Sequence, residues 1–289
     1  MSVYVLIPVF NRLKATKQII EKLLSQKLDQ SLVIVVIDDG STDGTSEFLK
    51  NTPSLVCLQG NGSLFWGGAI ALALNYLKGR ANQSDWVLLL NNDTDIQENY
   101  CAQLISIARE NYPAVVGTLV RNEVPPHQVL SYGALIDPWT FTVQAITKKE
   151  IIKICPGAWK SDVLSGRGTL YPYKSLANVS KYFSVIFPHY FGDYWLSLHA
   201  RRLGFSLLTT ENSETFSSDH FGSNAVSRSL FQSFFGKRSP GYIVAKFGFW
   251  WSASNFIQKI TAPLRLTAFL LMPRSRDYLC KKVCIGRAE

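Results

Sequence analysis

Short apolar runs recur along the first third of the chain, and each is closed by a polar cluster. Val3–Ile7 is such a run, ended by Pro8, and predicts a buried strand. LVIVVID at residues 32–38 is apolar and largely β-branched, the pattern of a strand covered on both faces. Leu55–Leu58 and Trp86–Leu90 predict a third and a fourth strand. The stretches between them change to a helical period. Residues 13–26 place Ile19, Ile20, Leu23 and Leu24 on one side, and residues 42–50 and 67–77 predict further helices. Strands alternating with helices imply βαβ units and a mostly parallel, Rossmann-like sheet flanked by helices, an α/β fold. Residues 114–155 hold strand-like pieces (AVVGTLV, QVLSYGALI, FTVQAI) with little helical period. DYWLSLHARRLG predicts a helix over 193–204, ended by Gly204. Beyond about residue 220 the chain turns aromatic, basic and helical, which divides it into 1–220 and 221–289.

Composition adds a polarity to this layout. The 289 residues are 47% hydrophobic and 18% charged, enough for a large core and too apolar for global disorder. The net charge is +9. From Phe221 onward there are eleven basic and two acidic residues, so the first 220 residues are balanced and the tail carries the whole excess. Residues 241–273 mix spaced cations with aromatics, Trp250 and Trp251 among them. Such helices suit the headgroup region of an anionic membrane. They also suit a helical layer packed on the first domain with its cations reaching water. No nucleic-acid-binding module is recognisable, so nucleic acid is not an expected partner. No apolar run reaches the ~18 residues of a membrane span. The N-terminus shows no signal-peptide pattern, and five cysteines without metal spacing read as free thiols. A cytoplasmic protein, peripheral on the inner membrane, is expected.

In open α/β sheets ligands bind beyond the carboxyl ends of the strands. Three strand ends carry polar residues here: Pro8 to Asn11, Asp38 to Ser41, and Asn91 to Asp95. Asp93 and Asp95, one residue apart on extended backbone, point to the same side. Converging carboxylates need positive charge between them, and Mg²⁺ or Mn²⁺ bound to substrate phosphates supplies it. A solvated loop with a helix-capping aspartate is the plainer alternative. DDGSTDG at 38–44 resembles the start of a calcium loop, but its twelfth position is Lys50, which excludes calcium. It reads instead as a turn at Gly40, with Thr42 or Asp43 capping the next helix. No Gly-rich dinucleotide or P-loop motif is present.

The ordered series IPVFN, VVIDDGSTDGT, GNGSLFWGGA, LLLNNDTD, GRGTLYP and FGDYWLSLHARRLGF resembles glycosyltransferase family 2, which has the GT-A fold. It spans about residues 3–220, and GNGSLFWGGA with GRGTLYP is most similar to the bacterial rhamnosyltransferase-like branch. The resemblance implies an inverting, metal-dependent and non-processive enzyme. It would move a sugar from a nucleotide-sugar donor to a glycan or lipid-linked acceptor. It implies Pro8, Asn11, Asp38, Asp39 and Asp93 at the nucleotide, and Asp93, Asp95 and His220 at the metal. Asp193 would be the catalytic base, with Trp66, Gly67 and Arg167 at the sugar or acceptor. Asp193 also reads as an ordinary helix cap, and Trp66 as a core residue. The chain departs from the pattern at Ala71, Gly192 and His199. Those departures keep a catalytically inactive sugar-binding or scaffold protein in play. A sugar-phosphate nucleotidyltransferase would want a glycine-rich basic loop where PVFNRLK stands.

Overall fold

The computed structural model describes residues 1–147, 153–155, 157–179, 182–217 and 229–271. The predicted alternation is present: β1 (Ser2–Val9), α1 (Leu13–Leu24), β2 (Ser31–Asp38), α2 (Thr45–Lys50), β3 (Val56–Gln59), α3 (Phe65–Leu77) and β4 (Trp86–Leu89). β1 pairs in parallel with β2 and β4, and β2 with β3. The three polar strand ends therefore share one edge. Successive residues of β1 and β2 face opposite cores. Leu6, Val35 and Ile37 face α3, while Val5, Ile7 and Val36 join Ile19, Ile20 and Leu23 of α1. Ile37 has no exposed surface, so Ile37→Ala would cost about 2–5 kcal/mol.

The rest of the domain widens this sheet. In chain order come β5 (Thr94–Ile96), α4 (Tyr100–Glu110), β6 (Ala114–Asn122), β7 (Val129–Ser131), β8 (Ala134–Asp137) and β9 (Thr142–Ala145). Then follow β10 (Lys153–Cys155), β11 (Ala158–Lys160), β12 (Thr169–Pro172), the short α5 (Tyr173–Leu176) and α6 (Phe183–Ile186), α7 (Gly192–Arg202) and β13 (Ser206–Ser217). The main path runs β10-β11-β13-β6-β12-β4-β1-β2-β3. β12 lies antiparallel between β4 and β6, so the half beyond β4 is mixed. α4 and β13 are absent from the sequence reading. β13 hides because its buried face is polar: Thr209, Ser213, Thr215 and Ser217 are all fully buried.

The tail is helical, as expected: α8 (Leu230–Phe235), α9 (Ile243–Ala253) and α10 (Phe256–Leu271). Ser229 and Gln232 form a reciprocal capping box at the start of α8. α9 packs on α7. Phe249 meets Phe191 at 5.1 Å between ring centroids, and Trp195 Nε1 donates to Ser252 Oγ at 3.0 Å. The structure separates the two tryptophans of the tail. Trp250 is 8% exposed and packs on Phe141, so it is a core residue and not an interfacial one. Trp251 is 49% exposed and stacks on Phe247. Arg265 of α10 donates to the carbonyls of Pro138 and Trp139 at 2.7 and 2.8 Å and lies over the rings of Trp139 and Phe141. Among the described residues no helix is long and apolar enough to cross a membrane.

Candidate active site

The ends of β1 and β2 are organised by aspartates. Asp39 is 3% exposed and accepts three backbone N–H bonds, from Gly62 at 2.9 Å, Leu64 at 3.1 Å and Phe65 at 3.0 Å. The whole 60–65 loop hangs from this one carboxylate. Gly60 is required there, since a Cβ would meet Asp39 Oδ1 at 2.6 Å. Asp38 is fully buried and accepts from Ser41 N at 3.0 Å and from Ser46 Oγ. Asn11 Oδ1 accepts from Thr42 N at 2.9 Å, which locks the end of β1 to the turn after β2. Asp43 accepts from the N–H of Leu13 and Thr45, tying the starts of α1 and α2 together. Pro8 is half-buried on β1. Pro8, Asn11, Asp38 and Asp39, the residues expected at the nucleotide, thus lie together at one braced strand edge. Asp39 Oδ2, with one N–H donor, keeps a lone pair for a ligand.

Asp93 and Asp95 do lie on the same, more exposed side of their segment, with Thr94 buried between them. Arg12 Nη1 donates to Asp93 Oδ2 at 2.7 Å, and Lys22 of α1 pairs with Asp95. Asp95 Oδ1 also accepts its neighbour's N–H, from Ile96, at 2.8 Å. Asp93 Oδ1 is buried and has no hydrogen-bond partner among the described residues. An orphaned carboxylate oxygen is costly unless a ligand serves it. A hard divalent cation fits that oxygen, and Asp95 could join once Lys22 yields. Among the described residues, no three His, Cys, Asp or Glu side chains converge as a metal cage. A cation held here would lean on substrate phosphates, as Mg²⁺ commonly does. His220 lies outside the described residues.

Asp193 stands in the first turn of α7, where the helix N-terminus favours negative charge. Its Oδ2 accepts from Gly166 N at 3.0 Å and its Oδ1 from Tyr194 N at 2.9 Å. Burial pushes its carboxyl above the ordinary 3.8, against the pull of those N–H groups and of Arg167. Arg167 feels the carboxylates of both Asp93 and Asp193. Its backbone carbonyl accepts from Thr118 and Thr215, both at 3.2 Å. Thr118 of β6 and Thr215 of β13 therefore position the arginine loop between them.

Trp66 joins four motifs at one point. Its Nε1 donates to Asn91 Oδ1 at 3.2 Å. A Cβ on Gly166 would meet its Cζ2 at 2.9 Å, and a Cβ on Gly192 its Cζ3 at 2.8 Å. Both glycines are there for the indole. The space beside Gly192 is filled by Trp66 and is not left open. Trp66 is half-buried and meets Gly166 beside Asp193, a packed side chain that keeps some surface at the candidate site. Gly67 has a packing role: its N–H donates to Pro188 O at 2.8 Å, and a Cβ there would collide with the Phe187 carbonyl. Asn11, Arg12, Phe65 and Phe191 all have left-handed φ between 54° and 73°. They introduce α1, α3 and α7, and such strain tends to gather around functional sites. Arg12, Lys22 and Asn91 were given no role by sequence reading. Arg12 had a usable signal, a cation next to Asn11 at a strand end.

The family profile described as Glycosyl transferase family 2 matches residues 4–164, more than half the chain. The chain belongs to glycosyl transferase family 2. Among solved structures, GalNAc-T7 with UDP, GalNAc and Mn²⁺ is similar at TM-score 0.56 and 14% identity, over 75% of this chain and 43% of that one. TarS of S. aureus gives 0.54 and 18%, over 75% and 37%. Its 1–349 piece in complex with UDP gives 0.55 and 18%, over 77% and 62%. These likenesses establish the GT-A fold, and this chain spans less than two thirds of each of those chains. Two departures of this family 2 chain acquire physical causes. Any side chain at Gly192 would strike Trp66 and, at 3.2 Å, Phe183. His199 stacks on Trp195 at 5.3 Å and 16°, and burial depresses its basicity, so it serves as packing. Ala71 lines a separate groove of about 430 Å³ with Leu74, Asn75 and Tyr173.

Proposed function

We propose that the chain is an inverting glycosyltransferase that moves a sugar from a nucleotide-sugar donor to a hydroxyl of a lipid-linked glycan, in bacterial surface polysaccharide synthesis. The observation that carries this reading is Asp193: a carboxylate of raised pKa at a helix start, beside Trp66 and Arg167, in the crevice that also holds Asp93. The acceptor oxygen attacks the anomeric carbon as its proton passes to Asp193. The bond from that carbon to the diphosphate oxygen breaks on the opposite face, and the nucleoside diphosphate leaves. A base so placed contributes typically ~10²–10⁴-fold. Mg²⁺ or Mn²⁺, held by Asp93 with Asp95, would offset charge growing on the leaving diphosphate. Arg167 adds fixed positive charge between the two carboxylates. Pro8, Asn11 and Asp39 receive the nucleoside, with Asp38 bracing the turn beneath.

The tail supports a peripheral place on the cytoplasmic face of the inner membrane. Phe247, Trp251, Phe256, Ile260 and Leu264 are exposed on α9 and α10, and Lys259 lies over Trp251. Apolar stripes with cations in a strongly basic region fit an anionic lipid surface. The catalytic domain is 1–220, and within 221–289 the exposed faces of α9 and α10 are the region of membrane or acceptor contact. The test is nucleoside diphosphate release from UDP-, GDP- and dTDP-sugars, with Mn²⁺ or Mg²⁺, with and without EDTA, and with bacterial lipid extract. Release from one donor, abolished by EDTA and by Asp193→Asn, is expected. Metal-dependent nucleotide binding with no release under any acceptor would favour a scaffold. No binding at all would refute the donor reading.

A further inference from the structure

One arginine of the tail reaches back to the rim of the crevice. Arg238 lies in the turn between α8 and α9, with its guanidinium 5.5 Å from the ring centre of Phe10 and 4.8 Å from that of Phe65. The backbones that carry those rings are tied to Asp39. Phe10 follows Val9, whose carbonyl accepts the Asp39 N–H at 2.8 Å. The N–H of Phe65 donates to Asp39 Oδ2 at 3.0 Å. The turn is braced from within: Ser239 is buried, its N–H donates to Gly236 O at 2.8 Å, and its Oγ accepts from Gly241 N at 3.0 Å. Arg238 itself is exposed, and among the described residues it has no ion pair with a carboxylate. A charge with no acidic partner, on a stiff turn over two aromatic faces, is an arrangement suited to a planar ligand.

We propose that Arg238 clamps the nucleobase of the donor, the base sliding between its guanidinium and the rings of Phe10 and Phe65. Guanidinium planes and phenyl rings both stack on bases. Asp39 Oδ2, which accepts the Phe65 N–H, would accept a base N–H with its remaining lone pair. The nucleoside end of the donor site is then completed by the tail. The clamp rests on the donor reading above, and the test separates the two. Bases stacked on one side chain bind through faces that every base has, so the clamp adds affinity more than choice of base.

The measurement is calorimetric titration of the full chain with UDP, GDP and dTDP in Mn²⁺, followed by inorganic pyrophosphate competition against the best binder. Arg238→Ala and Arg238→Lys are both expected to weaken that nucleotide about tenfold, the order expected for loss of one stacking partner. Pyrophosphate affinity and melting temperature should stay at the wild-type values. Lysine keeps the charge and loses the plane, so it should not rescue. Wild-type affinity in Arg238→Ala overturns the clamp and leaves the donor reading standing. Rescue by lysine, or a parallel loss for pyrophosphate, overturns it in favour of a phosphate contact. A melting temperature that falls in step with affinity overturns it in favour of a structural brace. A wild-type chain that binds none of the three nucleotides overturns the donor reading and the clamp together.

Discussion

Gly192→Ala tests the packing that sets Asp193 against Trp66. The added methyl would sit 2.8 Å from Trp66 Cζ3 and 3.2 Å from Phe183 Cζ, where ordinary contacts begin near 3.4 Å. The indole has nowhere to retreat: its far edge meets Gly166, and its Nε1 is tied to Asn91. Overpacking of this kind costs about 1–3 kcal/mol. At roughly 2–3 °C per kcal/mol for a chain of this size, the melting temperature should fall by roughly 2–9 °C. Turnover should fall further than stability does, about 10²-fold, because small misplacements of a reacting group are expensive. The decisive arm is a double-mutant cycle. Trp66→Phe removes the outer edge of the indole and so removes the obstacle. In that background Gly192→Ala should cost at least about 1 kcal/mol less than it does alone. Sites without shared partners add within ~0.5 kcal/mol. Additivity in thermal or urea unfolding would therefore refute the sandwich.

Asp193→Asn should lower turnover ~10²–10⁴-fold while nucleotide affinity, read by calorimetry, is kept. A base of raised pKa is lost to protonation as pH falls through that raised value. The acid limb of the wild-type rate profile should therefore lie above the ordinary carboxylate value of 3.8, and a limb at or below it would contradict the burial argument. Lys22→Ala frees Asp95 from its cation, so half-maximal activity should need several-fold less Mn²⁺; an unchanged metal requirement would remove Asp95 from the metal site. Arg265→Ala removes the two carbonyl contacts and two ring contacts that tie α10 to residues 138–141, and should speed hydrogen exchange in α10 before the first domain loosens.

The parallel half of the fold was legible because its strands are buried on both faces and its helices are one-sided. β1, β2, β4, α1 and α3 all fall within a few residues of the sequence reading. The convergence of the three polar strand ends followed from topology alone. β13 was opaque for a physical reason. Its inward side chains are largely threonine and serine, bonded to the carbonyls of Tyr100, Gly157 and Arg167, so it lacks the apolar run that signals a strand. α4 had a usable signal in Cys101, Leu104, Ile105 and Ala108, which all bury on one side. The side chains around the site were legible by type but not by partner. That Asp39 holds up a loop, that Gly192 makes way for an indole, and that Arg12 and Lys22 answer Asp93 and Asp95 are tertiary facts. They join residues 23 to 126 positions apart, which local patterns do not reach.

The seat of α9 bears on how such chains can be recombined. Phe249 and Trp250 cover Phe191, Tyr194 and Phe141, so the helix is the outer wall of the core behind Asp193. A relative's C-terminal segment grafted here would have to match that aromatic surface ring for ring. A chain ending before Ile243 would instead expose the back of α7 to water. The region that looks most like an appendage is, at α9, part of the same aromatic core as the helix that carries Asp193.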